Sequence, residues 1–297
     1  MSNRDGYAAI ETRHALSTHD RECVAALLSH RRQFKGSMRE LYDALSAQTP
    51  IAAGVDTERV DGPEVHGWWV RPPACPADRA VVFLHGGCYL LGSAEAYRGL
   101  ASQLAASAGM AAFVPDYPLA SEHPFPAASV AAARVLDWLA ERSVARLALA
   151  GDSAGGAPAL GMLHAPRARE RVASVVVFSP WVDLAFEGAS FHGPATHDPV
   201  FQKPMPTQAV SAYLGGADPR HPLASPLYGL PEWLPPLAIQ VGTTNSCSTT
   251  PPAWPGPRPR GAARYLRGRA PCVPARARCG APGSNGDIAR RPRPPAA

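Results

Sequence analysis

Lysine is nearly missing from this chain: Lys35 and Lys203 stand against 27 arginines. With its many Ala, Pro and Gly residues, the composition reads as that of a GC-rich, bacterial gene. The six cysteines (23, 75, 88, 247, 272 and 279) form no CxxC pair and no dense framework. That pattern speaks against a structural zinc site and against a disulfide scaffold. No run of 18 apolar residues occurs, and the opening MSNRDGYAAIETRHALSTHD lacks an apolar core. Neither a membrane span nor a secretory signal is expected, so a cytoplasmic protein is. Histidine is absent after His221. The formal charge of +5 is also misleading. Residues 245–297 carry ten Arg and a single acid, Asp287, for a net of +9, whereas residues 1–244 sum to −4. A uniformly basic nucleic-acid-binding domain is excluded.

What remains is 297 residues, 46% hydrophobic, enough for one domain with a sizeable core. Residues 7–48 mix polar and apolar positions at helical spacing, with Val24, Leu27 and Leu28, then Met38, Leu41, Tyr42 and Leu45. Strands are expected at 63–71, in the run 80–87 that Gly86 and Gly87 close, at 111–118, in 146–156 where the strand runs into a Gly-bracketed turn, and at 172–181 and 234–242. Helices are expected between them at 93–109 and 128–142, and another at 205–214 within a Pro- and Gly-rich excursion over 185–233. Alternating strands and helices specify an α/β fold, a mostly parallel sheet with helices on both faces. The domain reading is a helical cap region at 1–60, a core at 61–244 and a Pro/Arg-rich tail at 245–297.

Two motifs carry chemistry. Gly151-Asp152-Ser153-Ala154-Gly155 fits G-x-S-x-G and follows an apolar strand. Small residues at 151 and 155 permit a tight strand-to-helix turn that pushes Ser153 outward as a nucleophile. A structural serine in a turn is the alternative. His85-Gly86-Gly87 also follows a buried strand, and its backbone N–H groups, with that of Ala154, suit a developing oxyanion. Trp68, Trp69, Tyr89, Trp181 and Phe186 are candidates for a pocket lining, or for ordinary core.

HGGCYLLGS (85–93), DYPLA (116–120), GDSAGG (151–156), SPWVDL (179–184) and DPRHPLASPLYGL (218–230) together resemble the hormone-sensitive-lipase-like group of α/β-hydrolases, which contains bacterial carboxylesterases and acetyl hydrolases. Cys88 stands where that group mostly has Gly. The resemblance implies an α/β-hydrolase fold with an N-terminal helical cap and no cofactor or metal. It implies Ser153 as nucleophile, and Gly86, Gly87 and Ala154 as the oxyanion hole. Asp152 is not the triad acid, and His85 orients its loop rather than serving as base. The implied activity is cleavage of short acyl esters or N-acetyl groups, as in antibiotic biosynthesis, on a small-molecule substrate. No nucleic-acid or membrane partner is expected, and a homodimer is left open.

Such an enzyme needs a carboxylate after the 237–242 strand and a histidine about 30 residues later. Here Val241-Gly242 is followed by TTNSCSTT, with Asn245 at the acid position. The sequence therefore reads as frame-shifted near 243–246. Back-translating Cys247–Trp254 and moving one base yields Leu-Leu-Asp-Asp-Ser-Thr-Arg-Leu-Ala, which is similar to the group's continuation. A genuine disordered tail, a basic binding arm, and a catalytically impaired relative that only binds a small ligand are the competing readings. His123, His192, His197 and His221 are the only substitutes for the base, each better read as a loop residue. Resequencing across codons 240–285 is expected to restore an acid near 245 and a histidine about 30 residues on; an unchanged reading would refute the frameshift.

Overall fold

The structure is a computed structural model that describes residues 10–14, 34–192, 205–242 and 264–268, together with the helical positions 18, 22, 25, 26 and 29. Its centre is a nine-stranded sheet. In chain order the strands are β1 (Ile10–His14), β2 (Asp56–Asp61), β3 (His66–Arg71), β4 (Arg79–Leu84), β5 (Ala111–Pro115), β6 (Arg146–Asp152), β7 (Val172–Phe178), β8 (Leu237–Gly242) and β9 (Arg264–Gly268). They lie in the order β1-β9-β8-β7-β6-β4-β5-β3-β2. Only the β2–β3 and β3–β5 pairs are antiparallel.

The inner strands read as continuous apolar runs because both faces of the sheet are covered. Along β4 the side chains alternate between two cores. Val81 and Phe83 face one with Tyr97, Ala101 and Val114; Val82 and Leu84 face the other with Phe113, Leu136 and Leu149. The first core is closed by α1 (Met38–Ser46) and α2 (Arg98–Ala108), the second by α3 (Ala127–Glu141) and α4 (Gly156–Gly161). Each large side chain fully buried here stabilises the fold by roughly 1.5–3 kcal/mol. Helix α1 starts where its sequence says it should. Ser37 Oγ accepts the Glu40 N–H at 3.2 Å while the Glu40 carboxylate accepts the Ser37 N–H at 2.7 Å, a reciprocal cap. The remaining helices are α5 (Ala168–Arg171), α6 (Ala189–His192) and α7 (Met205–Leu214).

Three strands depart from the sequence reading. β1 lies in a segment read as helical; its backbone instead finds ladder partners along β9. β2, Asp-Thr-Glu-Arg-Val-Asp, has no apolar run to reveal it. It forms because β3 offers a hairpin edge, reinforced by the Arg71–Glu58 ion pair. β9 falls inside the Pro/Arg-rich tail and pairs in parallel with β8. The sheet thus reaches past both boundaries drawn from the sequence, at 60 and at 244. The remainder of that tail, including Asn245, lies outside the described residues.

Strand β4 sits at the point where the chain order reverses, with β5 on one side and β6 on the other. Loops leaving the carboxyl ends of strands flanking such a switch point form a crevice. The β4–β6 register pairs Leu84 with Gly151, so residues 85–87 and 152–155 leave the sheet side by side. Gly155 makes this possible, since a Cβ there would collide with the carbonyl oxygens of both Leu84 and His85. Gly155→Ala is expected to destabilise the fold by at least about 2 kcal/mol, read as a lower urea midpoint; an unchanged midpoint would contradict this close approach.

Candidate active site

Ser153 opens a short 3-10 turn at the end of β6 and leads into α4. It has φ +49°, a left-handed conformation that is strained for a residue with a side chain. The turn is held from the loop that follows β7, because the Trp181 N–H donates to the Ser153 carbonyl at 2.8 Å. Ser153 is buried, and no side chain among the described residues hydrogen-bonds its Oγ. Gly86 lies directly against it: a Cβ on Gly86 would stand 3.1 Å from the Ser153 Cβ.

The three expected N–H donors do not behave alike. The Gly86 N–H donates to Asp152 Oδ1 at 2.8 Å and is unavailable to a substrate. This corrects the sequence reading, which assigned it to the oxyanion hole. No hydrogen bond occupies the N–H groups of Gly87 or Ala154 among the described residues. Gly87 has φ +122°, a conformation suited to glycine, and Cys88 and Tyr89 follow at φ +57° and +63°.

This strained loop is held from several sides. Segment 116–120 supplies three contacts. The Tyr117 hydroxyl donates to the His85 carbonyl at 2.6 Å, the Ala94 N–H donates to Asp116 Oδ1 at 2.7 Å, and the Ala120 N–H donates to the Tyr89 carbonyl at 2.8 Å. His85 is stacked between Tyr117 and Tyr97, with ring centroids 4.4 and 5.3 Å away. Its Nδ1 meets the Gly86 carbonyl at 2.7 Å, and must be the donor because a carbonyl only accepts. Burial holds the imidazole pKa down at about 4, so the ring is neutral near pH 7.

Asp152 is fully buried and accepts from the Gly86 N–H and from the Tyr97 hydroxyl, the latter at 3.1 Å. Desolvation drives its pKa up to about 7, opposed by those hydrogen bonds. Sequence reasoning had no means of finding Tyr97, whose hydroxyl reaches Asp152 from 55 residues away.

The aromatic candidates separate into two groups. Tyr89, Trp181 and Phe186 form one cluster, tied to Ser153 through the Trp181 backbone and joined by Tyr213, whose ring stacks on Tyr89 at 3.6 Å. Trp69 packs instead with Phe113 and Trp138, and Trp68 lies under Arg98 on the far side of β3. Strand alternation sends these two indoles to opposite faces, away from the crevice.

The other two motifs prove to be a single scaffold. Asp183 accepts from Ala185 and Gly188 N–H and from the Tyr228 hydroxyl, while Ser225 Oγ accepts the Leu184 N–H at 2.8 Å. Segment 179–184 is thereby tied to 218–230. The candidate bases are engaged elsewhere: His192 Nε2 meets the Phe186 carbonyl at 2.6 Å, and His221 packs edge-on against Phe125. His123 follows the 116–120 segment, and its N–H donates to the Leu119 carbonyl. His197 lies outside the described residues.

Comparison with known proteins decides the family. Residues 81–249 match the model of a family with the α/β-hydrolase fold. The chain belongs to the α/β-hydrolases. Within them it falls in the hormone-sensitive-lipase-like group. It is 38% identical over 219 residues to LipR of Mycobacterium tuberculosis, covering 72% of this chain and 71% of that one. It is 42% identical over 179 residues to an acetyl-hydrolase of Streptomyces hygroscopicus, covering 59% and 60%. The crystal structure of an esterase from the bacterial hormone-sensitive lipase family superposes with a TM-score of 0.78 at 31% identity, covering 88% and 91%. This hydrolase is accordingly an enzyme of the serine-esterase type, acting on small esters. No helix among the described residues is long and apolar enough to cross a membrane.

The Asp152 carboxyl makes a pH prediction. Its folded pKa of about 7 exceeds the ordinary value. The native state therefore keeps a proton that the unfolded chain releases between about pH 4 and 7. The stability this group contributes is full below that window and lost as pH rises through it. Asp152→Asn removes the titration. Urea midpoints are expected to diverge in the variant's favour between about pH 4.5 and 7.5; parallel profiles would contradict the assignment.

Proposed function

We propose that this hydrolase cleaves esters of short acyl chains, acetyl foremost, and N-acetyl groups of the same size, with Ser153 as nucleophile. The observation that carries the reading is Ser153 in a left-handed turn beside two unoccupied N–H groups, Gly87 and Ala154. The named activity of the Streptomyces hygroscopicus relative, an acetyl-hydrolase, supports the acetyl preference. Removal of an acetyl group from an antibiotic precursor is the narrower form of the same reading.

Ser153 Oγ attacks the acyl carbonyl carbon, and its proton passes to a base. The carbonyl electrons move to oxygen, where the Gly87 and Ala154 N–H groups receive the charge. Collapse breaks the bond to the leaving oxygen or nitrogen, which departs protonated as alcohol or amine. Water then attacks the acyl-serine and releases the carboxylic acid. Tyr89, Trp181 and Tyr213 are buried and pack on one another, with Phe186 against Trp181, and we take this aromatic cluster to restrict the acyl group to short chains. The base and its carboxylate belong to the segment after 242, whose sequence contains neither the histidine nor an acid at Asn245. The frame-restored segment supplies both.

A binding-only protein is the second reading, and one observation favours it: the Ser153 hydroxyl has no side-chain partner among the described residues. A fluorophosphonate probe separates the two. Labelling of the frame-restored protein and none of its Ser153→Ala variant is expected, together with p-nitrophenyl ester hydrolysis that falls steeply as the acyl chain lengthens beyond butyryl. A folded, frame-restored protein that resists the probe would overturn the enzymatic reading of Ser153.

A further inference from the structure

The loop that presents Gly87 is intrinsically unfavourable. Three consecutive residues, Gly87, Cys88 and Tyr89, have positive φ, and two of them carry side chains. Positive φ is strained for the two residues with side chains, and such residues persist only when their surroundings fix them. Part of what fixes this loop comes from outside the hydrolase core, from helix α1. Arg39 Nε donates to the Leu90 carbonyl at 2.9 Å, and Arg39 Nη2 to the Ala120 carbonyl at 3.3 Å. Ser93 Oγ donates to Asp43 Oδ2 at 3.3 Å. The Tyr42 and Tyr97 hydroxyls meet at 2.7 Å.

The direction of that last bond follows from the donors available. With Asp152 ionised, above about pH 7, the one hydroxyl proton of Tyr97 goes to Asp152 Oδ2. Tyr97 must then accept, so Tyr42 donates. The Gly86 N–H closes the chain on the other carboxylate oxygen. The sequence of bonds is Tyr42 to Tyr97 to Asp152, with Gly86 donating from the far side. Tyr97 is fully buried, and its ring packs against His85 and Phe83, which fixes the position of its hydroxyl oxygen.

We propose that Tyr97 is a positioning residue that couples helix α1 to the oxyanion loop: it takes its orientation from Tyr42 and imposes it, through Asp152, on the Gly86 peptide and hence on the Gly87 N–H that follows. The proposal rests on the reading of Ser153 as nucleophile for its catalytic meaning, but the mechanical coupling stands apart from it. The helix that precedes the sheet is then part of the machinery that stabilises the transition state. A bonded chain of this kind is stiffer than its separate members, because each donor polarises the next.

Tyr42→Phe and Tyr97→Phe delete one hydroxyl each and keep the ring packing. Hydrogen exchange followed by mass spectrometry reads the coupling directly on the full chain. Peptides spanning 85–93 are expected to exchange about tenfold faster in both variants, while those from α3 keep the wild-type rate. Fluorophosphonate labelling of the same proteins reads the catalytic consequence. The maximal labelling rate is expected to fall about tenfold, with the half-saturating probe concentration unchanged, since a displaced oxyanion donor affects the transition state rather than ground-state binding. Unchanged exchange over 85–93 in Tyr42→Phe, the less buried of the two sites, would overturn the proposal even if Tyr97→Phe fails to fold. Faster exchange in a protein whose wild type resists the probe would uphold the coupling and refute the nucleophile reading alone.

Discussion

The β4–β6 ladder is the constraint on which the rest of the site depends. Its register places Leu84 opposite Gly151, so two loops of unrelated sequence emerge at one height and one spacing. Parallel register is strongly specified where both faces are buried, because a one-residue slip would exchange the side chains of the two cores. The apolar alternation of Val81, Val82, Phe83 and Leu84 thus does more than fill space. It fixes which peptide of the 85–93 loop meets Ser153.

Asp152 shows two physical demands in opposition. Two hydrogen bonds favour its charge and burial penalises it, which leaves its pKa at about 7 and the carboxylate form present above that pH. A buried carboxylate with only neutral donors is an expensive way to join two loops. What it obtains is directionality. A carboxylate accepts along two distinct oxygens, so the Gly86 peptide and the Tyr97 hydroxyl are held at a fixed mutual angle, which an apolar contact of equal size does not impose.

Much of this arrangement was legible in the sequence, for a definable reason. The strands β3 to β8 announce themselves by apolar runs, and GDSAGG and HGG by glycines where chain segments approach closely. These are local signals. The misses are all nonlocal. The Gly86 N–H was counted as free because nothing local reveals that Asp152 turns back to accept it across 66 residues. Tyr97 carried no signal, being one aromatic residue before a helix. Strands β1, β2 and β9 form because a neighbouring strand supplies partners, and the polar residues of β2 hide it from any search by hydrophobic period. Trp68 and Trp69 were open between pocket and core, and the structure takes the core alternative, because adjacent strand residues face opposite ways.

The charge on β2 has a meaning for the molecule as a particle among others of its kind. Asp56, Glu58, Arg59 and Asp61, three acids and one base, sit on the outermost strand of the β2 side of the sheet beside a single apolar residue, Val60. A second sheet that tried to extend the ladder there would have to desolvate those groups to gain its backbone hydrogen bonds. Without that deterrent, the Trp-rich β3 hairpin would offer a template for uncontrolled stacking of one copy on the next. The same polarity that concealed β2 from sequence reading therefore guards the colloidal behaviour of the folded chain, at a margin far from the crevice and independent of its chemistry.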